Sequence, residues 1–146
     1  MREKTKTMSY KIVARYIQNL RFNIPNPKIF SLLSKNISDY KINIDIKSNQ
    51  LKDNLIEVIT TLNLISNNKD DLEKIVTKID YAAIVEINKD VKDKNDIERI
   101  ILIQVPTEVY PDLRKVFIYI FEKSGFKEIK ISESVDFQKL YDVKNN

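Results

Sequence analysis

The sequence predicts an α+β fold: a four-stranded antiparallel sheet, in meander or Greek-key order, with two main helices packed on one face. Three observations point there. Four stretches before residue 88 are rich in β-branched residues and are joined by short polar connections, as sequential antiparallel strands are. Beyond a charged loop at 88–96 the apolar residues switch to helical spacing. The chain has 146 residues, one domain's length, and a chain of that size buries roughly 68–70% of its unfolded surface. Residues 1–146 are therefore read as a single domain, with 1–9 a disordered N-terminus and 142–146 a short tail.

The first strand runs from Tyr10 to Ile24. Its apolar side chains fall on both parities, Ile12, Ala14 and Tyr16 against Val13 and Ile17, interrupted by Lys11, Arg15 and Arg21, so neither face reads as wholly wet. "NIPNPKIF" at 23–30 follows. Its prolines predict a rigid, extended corner, because each fixes its own φ near about −65° and pushes the preceding residue out of the helical region. The second strand, "YKINIDIKS" at 40–48, sets Tyr40, Ile42, Ile44 and Ile46 against Lys41, Asn43, Asp45 and Lys47, one apolar and one polar face. "LIEVITTLNLIS" at 55–66 is the third, and "LEKIVTKIDYAAIVEI" at 72–87 the fourth, after the turn "NNKDD".

"DIERIILIQVP" and "DLRKVFIYIFEKSG" carry the helical period. The second is expected to start after Pro111, with Asp112 near its N-terminus, and to stop at Gly125, the one glycine of the chain. "VDFQKLYDV" can form one more amphipathic helix through Val135, Phe137, Leu140, Tyr141 and Val143.

Cysteine and histidine are both absent, which removes disulfides, thiolate chemistry, the usual zinc ligands and histidine-based catalysis. A single glycine is too few for a phosphate-cradling loop or a dinucleotide fingerprint. "DVKDKND" offers Asp90, Asp93 and Asp96 without the glycine and terminal glutamate of a calcium loop. Glu57 and Asp80 could work as acid and base, but nothing in their spacing favours the pairing. The expectation is no enzyme, no cofactor and no metal.

No run approaches the roughly 18 apolar residues of a membrane span; the longest is "VFIYIF" at 116–121, and "MREKTKTMSYK" lacks an apolar leader core. A soluble cytoplasmic protein is expected, without membrane insertion. The net charge of +4 invites a nucleic-acid reading, yet acidic residues are interspersed almost everywhere, as in "NKDVKDKNDIER", which suits a solvated surface better. What composition leaves over is apolar surface. The first strand is apolar on both sides, and the third carries Leu55, Ile59 and Ile65 opposite Ile56, Val58, Leu62 and Leu64. Such an excess points to self-assembly, partner binding or both.

An ordered series of short stretches resembles the SecB family of protein-export chaperones. These are "Y-I-x-N-L-x-F" (Tyr16 to Phe22), "PNPKIF", "INIDI", "SNQLKDNLIEV", "YAAIVEI", "ILIQVPTEVYPDLRKV", "SGF" and "VDFQKLY". No single piece is specific; their order and spacing are. The resemblance implies a homotetramer, a dimer of dimers, that holds unfolded preproteins in apolar grooves without ATP and keeps them translocation-competent for the SecA motor. It makes "NIPNPKIF" the start of a long crossover between the first two strands. It puts the client groove on Tyr40, Ile42, Ile44 and Ile46, on Ile29, Phe30 and Leu33 of the crossover, and on Phe137, Leu140 and Tyr141 of the tail.

This chain also departs from the family pattern. Where the family has acidic positions that dock the motor, it has Asn19, Asn23 and Lys78, and its tail is only "DVKNN". Two neutral residues and a reversed charge weaken steering toward a basic partner. Ala82 and Ala83 stand where the family often has glycines. SecB-like chaperones also serve toxin–antitoxin pairs, which is the first alternative role. A basic protein- or RNA-interaction module is the second, and it is disfavoured by the lack of aromatics interleaved with arginine.

Overall fold

The structure is a computed structural model, and it describes residues 9–36, 40–66, 76–126 and 129–144. The expected turn at 67–71, the first residues of the fourth stretch (72–75), residues 1–8 and residues 145–146 lie outside the described residues. The elements are strand β1 (Tyr10–Asn23), helix α1 (Pro27–Asn36), strands β2 (Tyr40–Gln50), β3 (Leu55–Ser66) and β4 (Val76–Ile87), and helices α2 (Lys94–Arg99), α3 (Val105–Lys123) and α4 (Phe137–Lys144). The antiparallel sheet has the order β1-β4-β3-β2. This is a Greek key: β2, β3 and β4 form a meander and β1 returns beside β4.

The two central strands supply most of the sheet's share of the core. On one face β3 buries Ile56, Val58, Thr60, Leu62 and Leu64, and β4 buries Ile79, Tyr81, Ala83, Val85 and Ile87. Cross-strand register places Leu62 opposite Ile79, Val58 opposite Ala83 and Ile56 opposite Val85, so the period of two lands these side chains on the same side. Helix α3 answers with Val105, Val109, Leu113, Phe117 and Phe121, all buried. Spaced four apart, they form one stripe along a helix. Each fully buried side chain of this kind contributes roughly 1.5–3 kcal/mol.

The mixed parity of β1 has a structural cause. Its register against β4 shifts between Ile12 and Ala14 and again between Ile17 and Asn19, so Val13 and Gln18 are the extra residues of two β-bulges. Each bulge turns the following side chains to the opposite face. The helix-facing residues are then Tyr10 and Ile12, next Arg15 and Ile17, and finally Leu20 and Phe22, opposite Ile87, Val85, Ala83, Tyr81, Ile79 and Thr77. The strand is not apolar on two faces; it changes phase twice.

Two expectations are corrected. The corner at "NIPNPKIF" is extended only as far as Pro25: Pro27 opens the ten-residue helix α1. Asn26 caps it, its Oδ1 accepting from the Ile29 N–H at 2.9 Å. A proline is suited to the first helical position, where its missing N–H would be unsatisfied anyway. Secondly, Pro111 lies inside α3 and does not precede it. Thr107, whose carbonyl loses its partner, is exposed, as is Pro111, so water can satisfy the freed group. Just upstream the helical rod opens into one π turn, Ile100–Gln104, where the Val105 N–H reaches back to the Ile100 carbonyl. The wider turn comes immediately before Pro106, whose ring would crowd the carbonyl four residues back in a regular α-turn. The amphipathic helix expected within 135–143 is present as α4, which extends to Lys144.

Gly125 does end α3. Its φ is +101°, and its N–H donates to Glu122 O while the Phe126 N–H donates to Phe121 O at 3.0 Å; this is a Schellman turn. Phe121 gathers rings from all sides: Phe22 of β1 at 5.2 Å, Phe117 at 4.7 Å and Phe126 at 5.5 Å, with Phe30 of α1 against Phe126 at 4.9 Å. A Cβ on Gly125 would meet Phe30 ring carbons at 3.2 Å.

Two stability outcomes follow. Gly125→Ala is expected to destabilise by about 1–2 kcal/mol, because an L-residue is strained in the left-handed region, read as a lower urea midpoint at unchanged slope. Thr60 has a buried hydroxyl with no hydrogen-bond partner among the described residues. Thr60→Val, of nearly the same shape, should raise stability by about 1 kcal/mol; a loss in thermal unfolding would show that the hydroxyl is satisfied.

Candidate functional site

The sheet has two unlike edges. β2 forms one, and its apolar row Tyr40, Ile42, Ile44 and Ile46 packs against the core from the helix side while staying half-buried. The equivalent rows of β3 and β4 are closed. Antiparallel register puts the start of β2 at the same end as Val76, near the Phe22–Phe121 contact, and its end beside Ile56. The row is thus a strip running along α3 from its C-terminal end to its N-terminal end.

The other residues expected in the groove separate. Ile29, Leu33 and Phe137 are 6%, 0% and 1% exposed, so they are core residues of the protomer and offer no surface; this corrects their expected role. In α1 the apolar positions Ile29 and Leu33 lie four apart and turn inward, whereas Leu32 is exposed and Phe30 half-buried. In α4 Phe137 packs edge-on against Tyr110 at 6.2 Å, Leu140 is exposed, and the Tyr141 hydroxyl donates to Glu98 Oε1 at 2.6 Å. That bond raises the phenol pKa. α4 is held further by Arg99 Nη2 donating to Gln138 Oε1 at 2.6 Å. Phe30 therefore sits at the C-terminal end of α3 and Leu140 with Tyr141 toward its N-terminal end. At 1.5 Å per residue they are about 20 Å apart, and the β2 row from Tyr40 to Ile46 is of similar length.

The opposite edge, β1, is fastened to α3 by an ionic cluster. Arg15 donates to Asp112 Oδ2 at 2.8 Å and to Glu108 Oε2 at 3.0 Å, and the Tyr10 hydroxyl donates to Glu108 Oε1 at 2.8 Å. Burial, then the Glu108 bond, pushes the Tyr10 phenol up to about 12. Val13, Ile17 and Leu20 remain exposed on this edge at 55%, 45% and 43%. The cluster joins residues more than ninety positions apart, and no local spacing signals it.

The face of the sheet away from the helices carries most of the sheet's polar side chains, set around Ile59, Ala82 and Ile84. Tyr16 donates to Glu57, which also accepts from Asn49 at 3.1 Å; these bonds hold the Glu57 carboxyl below its ordinary range. Asp80 accepts from the Thr61 hydroxyl at 2.6 Å and from Asn19 at 3.5 Å. Asn19, Asn23 and Lys78 come together here at one end, with register partners Asn19 opposite Asp80 and Arg21 opposite Lys78. Glu57 and Asp80 are tied into separate networks, which gives no support to an acid–base pair. Among the described residues no group of three or more His, Cys, Asp or Glu could hold a metal ion, and no helix is long and apolar enough to cross a membrane.

Comparison with known proteins agrees with this architecture. The model of the family described as preprotein translocase subunit SecB matches residues 3–146. A SecB relative in Pelagibacter ubique strain HTCC1062 is 36% identical over 140 residues, covering 96% of this chain and 99% of its own. The protein-export protein SecB of Anaplasma phagocytophilum strain HZ is 26% identical, covering 90% of each chain. Among solved structures, a SecB-like chaperone of Mycobacterium tuberculosis, in complex with a ChAD peptide from the HigA1 antitoxin, superposes with a TM-score of 0.62 at 11% identity, over 87% of this chain and 88% of its own. Fold, order of elements and near end-to-end match converge: this chain belongs to the SecB family, with a chaperone role in preprotein export.

Proposed function

We propose that the protein is an ATP-independent holdase that binds unfolded preproteins along the apolar strip of β2 and keeps them competent for Sec-dependent export from the cytoplasm. The half-buried row Tyr40, Ile42, Ile44 and Ile46 carries this reading. It lies on an edge strand, and Leu32 and Leu140 offer further exposed apolar side chains on α1 and α4. Apolar contact is indifferent to sequence, and each side chain covered by a client could contribute roughly 1.5–3 kcal/mol before ordering costs. Several such strips on one assembly add by avidity, which suits long, diverse chains.

The assembly proposed is a homotetramer, a dimer of dimers. The exposed Val13, Ile17 and Leu20 on the β1 edge support burial against a second copy, since a long open edge strand is otherwise an aggregation hazard. The SecA motor is the proposed receiver. With Asn19, Asn23 and Lys78 in place of acids, its encounter with this chain should be steered weakly. A second reading, service to an antitoxin, is favoured by one observation: the solved neighbour holds an antitoxin peptide.

Light scattering on the size-exclusion peak, without nucleotide, tests the proposal. The expected result is a mass of four times 17.2 kDa that gains one chain of a chemically unfolded secretory preprotein. A monomer or dimer that ignores the preprotein overturns it, and capture of an antitoxin in its place moves the reading to the second role.

Ile44→Asp should leave the oligomer intact and weaken client binding about tenfold or more, the equivalent of losing one covered aliphatic side chain. Unfolding or dissociation of the variant would make Ile44 a core residue and remove it from the strip.

A further inference from the structure

We propose that helix α1 gives the holdase a preference for acidic clients: its outer stripe, Lys28, Leu32 and Lys35, receives unfolded segments in which carboxylates flank an apolar side chain. The preference rests on the holdase reading and deepens it, because α1 leads directly into the strip of β2. Asn36 ends the helix and Tyr40 opens the strand, and four residues of chain span at most about 14 Å. A client lying along the strip therefore has the end of α1 within reach at the strip's start.

Helical spacing builds the stripe. Residues four and three apart share a face, so Lys28, Leu32 and Lys35 stand together, and all three are exposed, while Ile29 and Leu33 turn into the core. Leu32 keeps 41% of its surface open between the two cations. Lysine stems are apolar and can extend that surface while their ammonium groups stay in water. The helix, PKIFSLLSKN, contains no acidic residue, and among the described residues neither Lys28 nor Lys35 has an ion-pair partner. By contrast the long helix α3 is balanced, with Arg114, Lys115 and Lys123 against Glu108, Asp112 and Glu122. Lys35 has a local reason for its place, because a cation in the last turn complements the helix dipole. Lys28 has none. It stands in the first turn, where the dipole favours an acid and α1 supplies none, so its charge is held against the preference of its own helix. A client that brings carboxylates offsets that cost. An anionic membrane surface fits less well, since a ten-residue helix with one exposed apolar side chain has little to bury in it.

Fluorescence anisotropy on the whole chain, without nucleotide, tests this with two peptides that carry a neutral dye and the same central apolar segment, one flanked by glutamates and the other by glutamines. The glutamate peptide is expected to bind about tenfold more tightly at about 50 mM salt, roughly threefold for each exposed charge it meets. The margin should shrink toward about 300 mM as the screening length shortens. In the double variant Lys28→Gln, Lys35→Gln the two peptides should bind alike, at the affinity the unaltered chain shows for the glutamine peptide. Lys28→Gln alone should lose about threefold of the margin and melt no lower than the unaltered chain, because it removes a cation from the first turn. Equal binding of both peptides by the unaltered chain, or a glutamate preference that survives in the folded double variant, overturns the proposal and leaves the holdase reading standing. If neither peptide binds, the holdase reading falls and the client preference with it. Binding to phosphatidylglycerol vesicles that the double variant loses, with no difference between the peptides, would assign the stripe to a membrane surface and overturn the proposal as well.

Discussion

Much of this fold depends on the turn that ends α3. Gly125, held at a φ of +101°, lets the chain reverse in one residue, so that Phe126 folds back against Phe121 at 5.5 Å. Phe121 is also where β1 meets the helix, through Phe22, and α1 joins the cluster one ring further on, through Phe30. Pairs of this kind are worth about 0.5–1.5 kcal/mol each beyond their buried area. Their more important effect is geometric. α1 must travel from one edge of the sheet to the other, and the aromatic cluster fixes its path. A side chain at position 125 would push against Phe30, so the single glycine also seats the crossover helix.

Fixing that path gives the two edges of the sheet different characters. On the β2 side the helices leave the row from Tyr40 to Ile46 half-covered. On the β1 side the bulges at Val13 and Gln18 bring Arg15 under α3, where Glu108 and Asp112 receive it. Exposed ion pairs contribute little singly, but here one guanidinium spans two carboxylates and a tyrosine shares one of them. The cluster orients a strand that otherwise carries exposed Val13, Ile17 and Leu20. A chaperone needs apolar surface that is open to clients yet does not collapse onto its own core. A sheet whose inner strands are closed and whose edges are half-open meets that need, provided the edge strands are held rigidly.

The two faces divide the chemistry as well. The helix side is apolar apart from a few threonines and the Arg15 cluster, and its specificity is one of shape and hydrophobicity. The outer side is amide-rich, with Glu57 and Asp80 held by neighbouring hydroxyl and amide donors.

Period-two and period-four patterns are local properties, and the sequence alone determined what rests on them. These are the four strands to within a few residues, the helical period from Leu113 to Phe121, the helix stop at Gly125, the helical tail and the family. Even α1 was legible, because Asn26-Pro27 is a cap followed by a first-turn proline and Ile29 and Leu33 lie four apart; two prolines drew the reading toward an extended corner instead. Tertiary structure decided the rest. Bulges set the phase of β1, and a bulge depends on the partner strand as much as on the bulged residues. Whether Ile29, Leu33 and Phe137 face a groove or the core depends on which helix covers them, and sequence spacing is the same in either case. The ion cluster of Arg15, Glu108 and Asp112 and the register of Arg21 beside Lys78 join residues far apart in the chain. Only the register of the folded sheet and the placement of α3 over it bring such charges together.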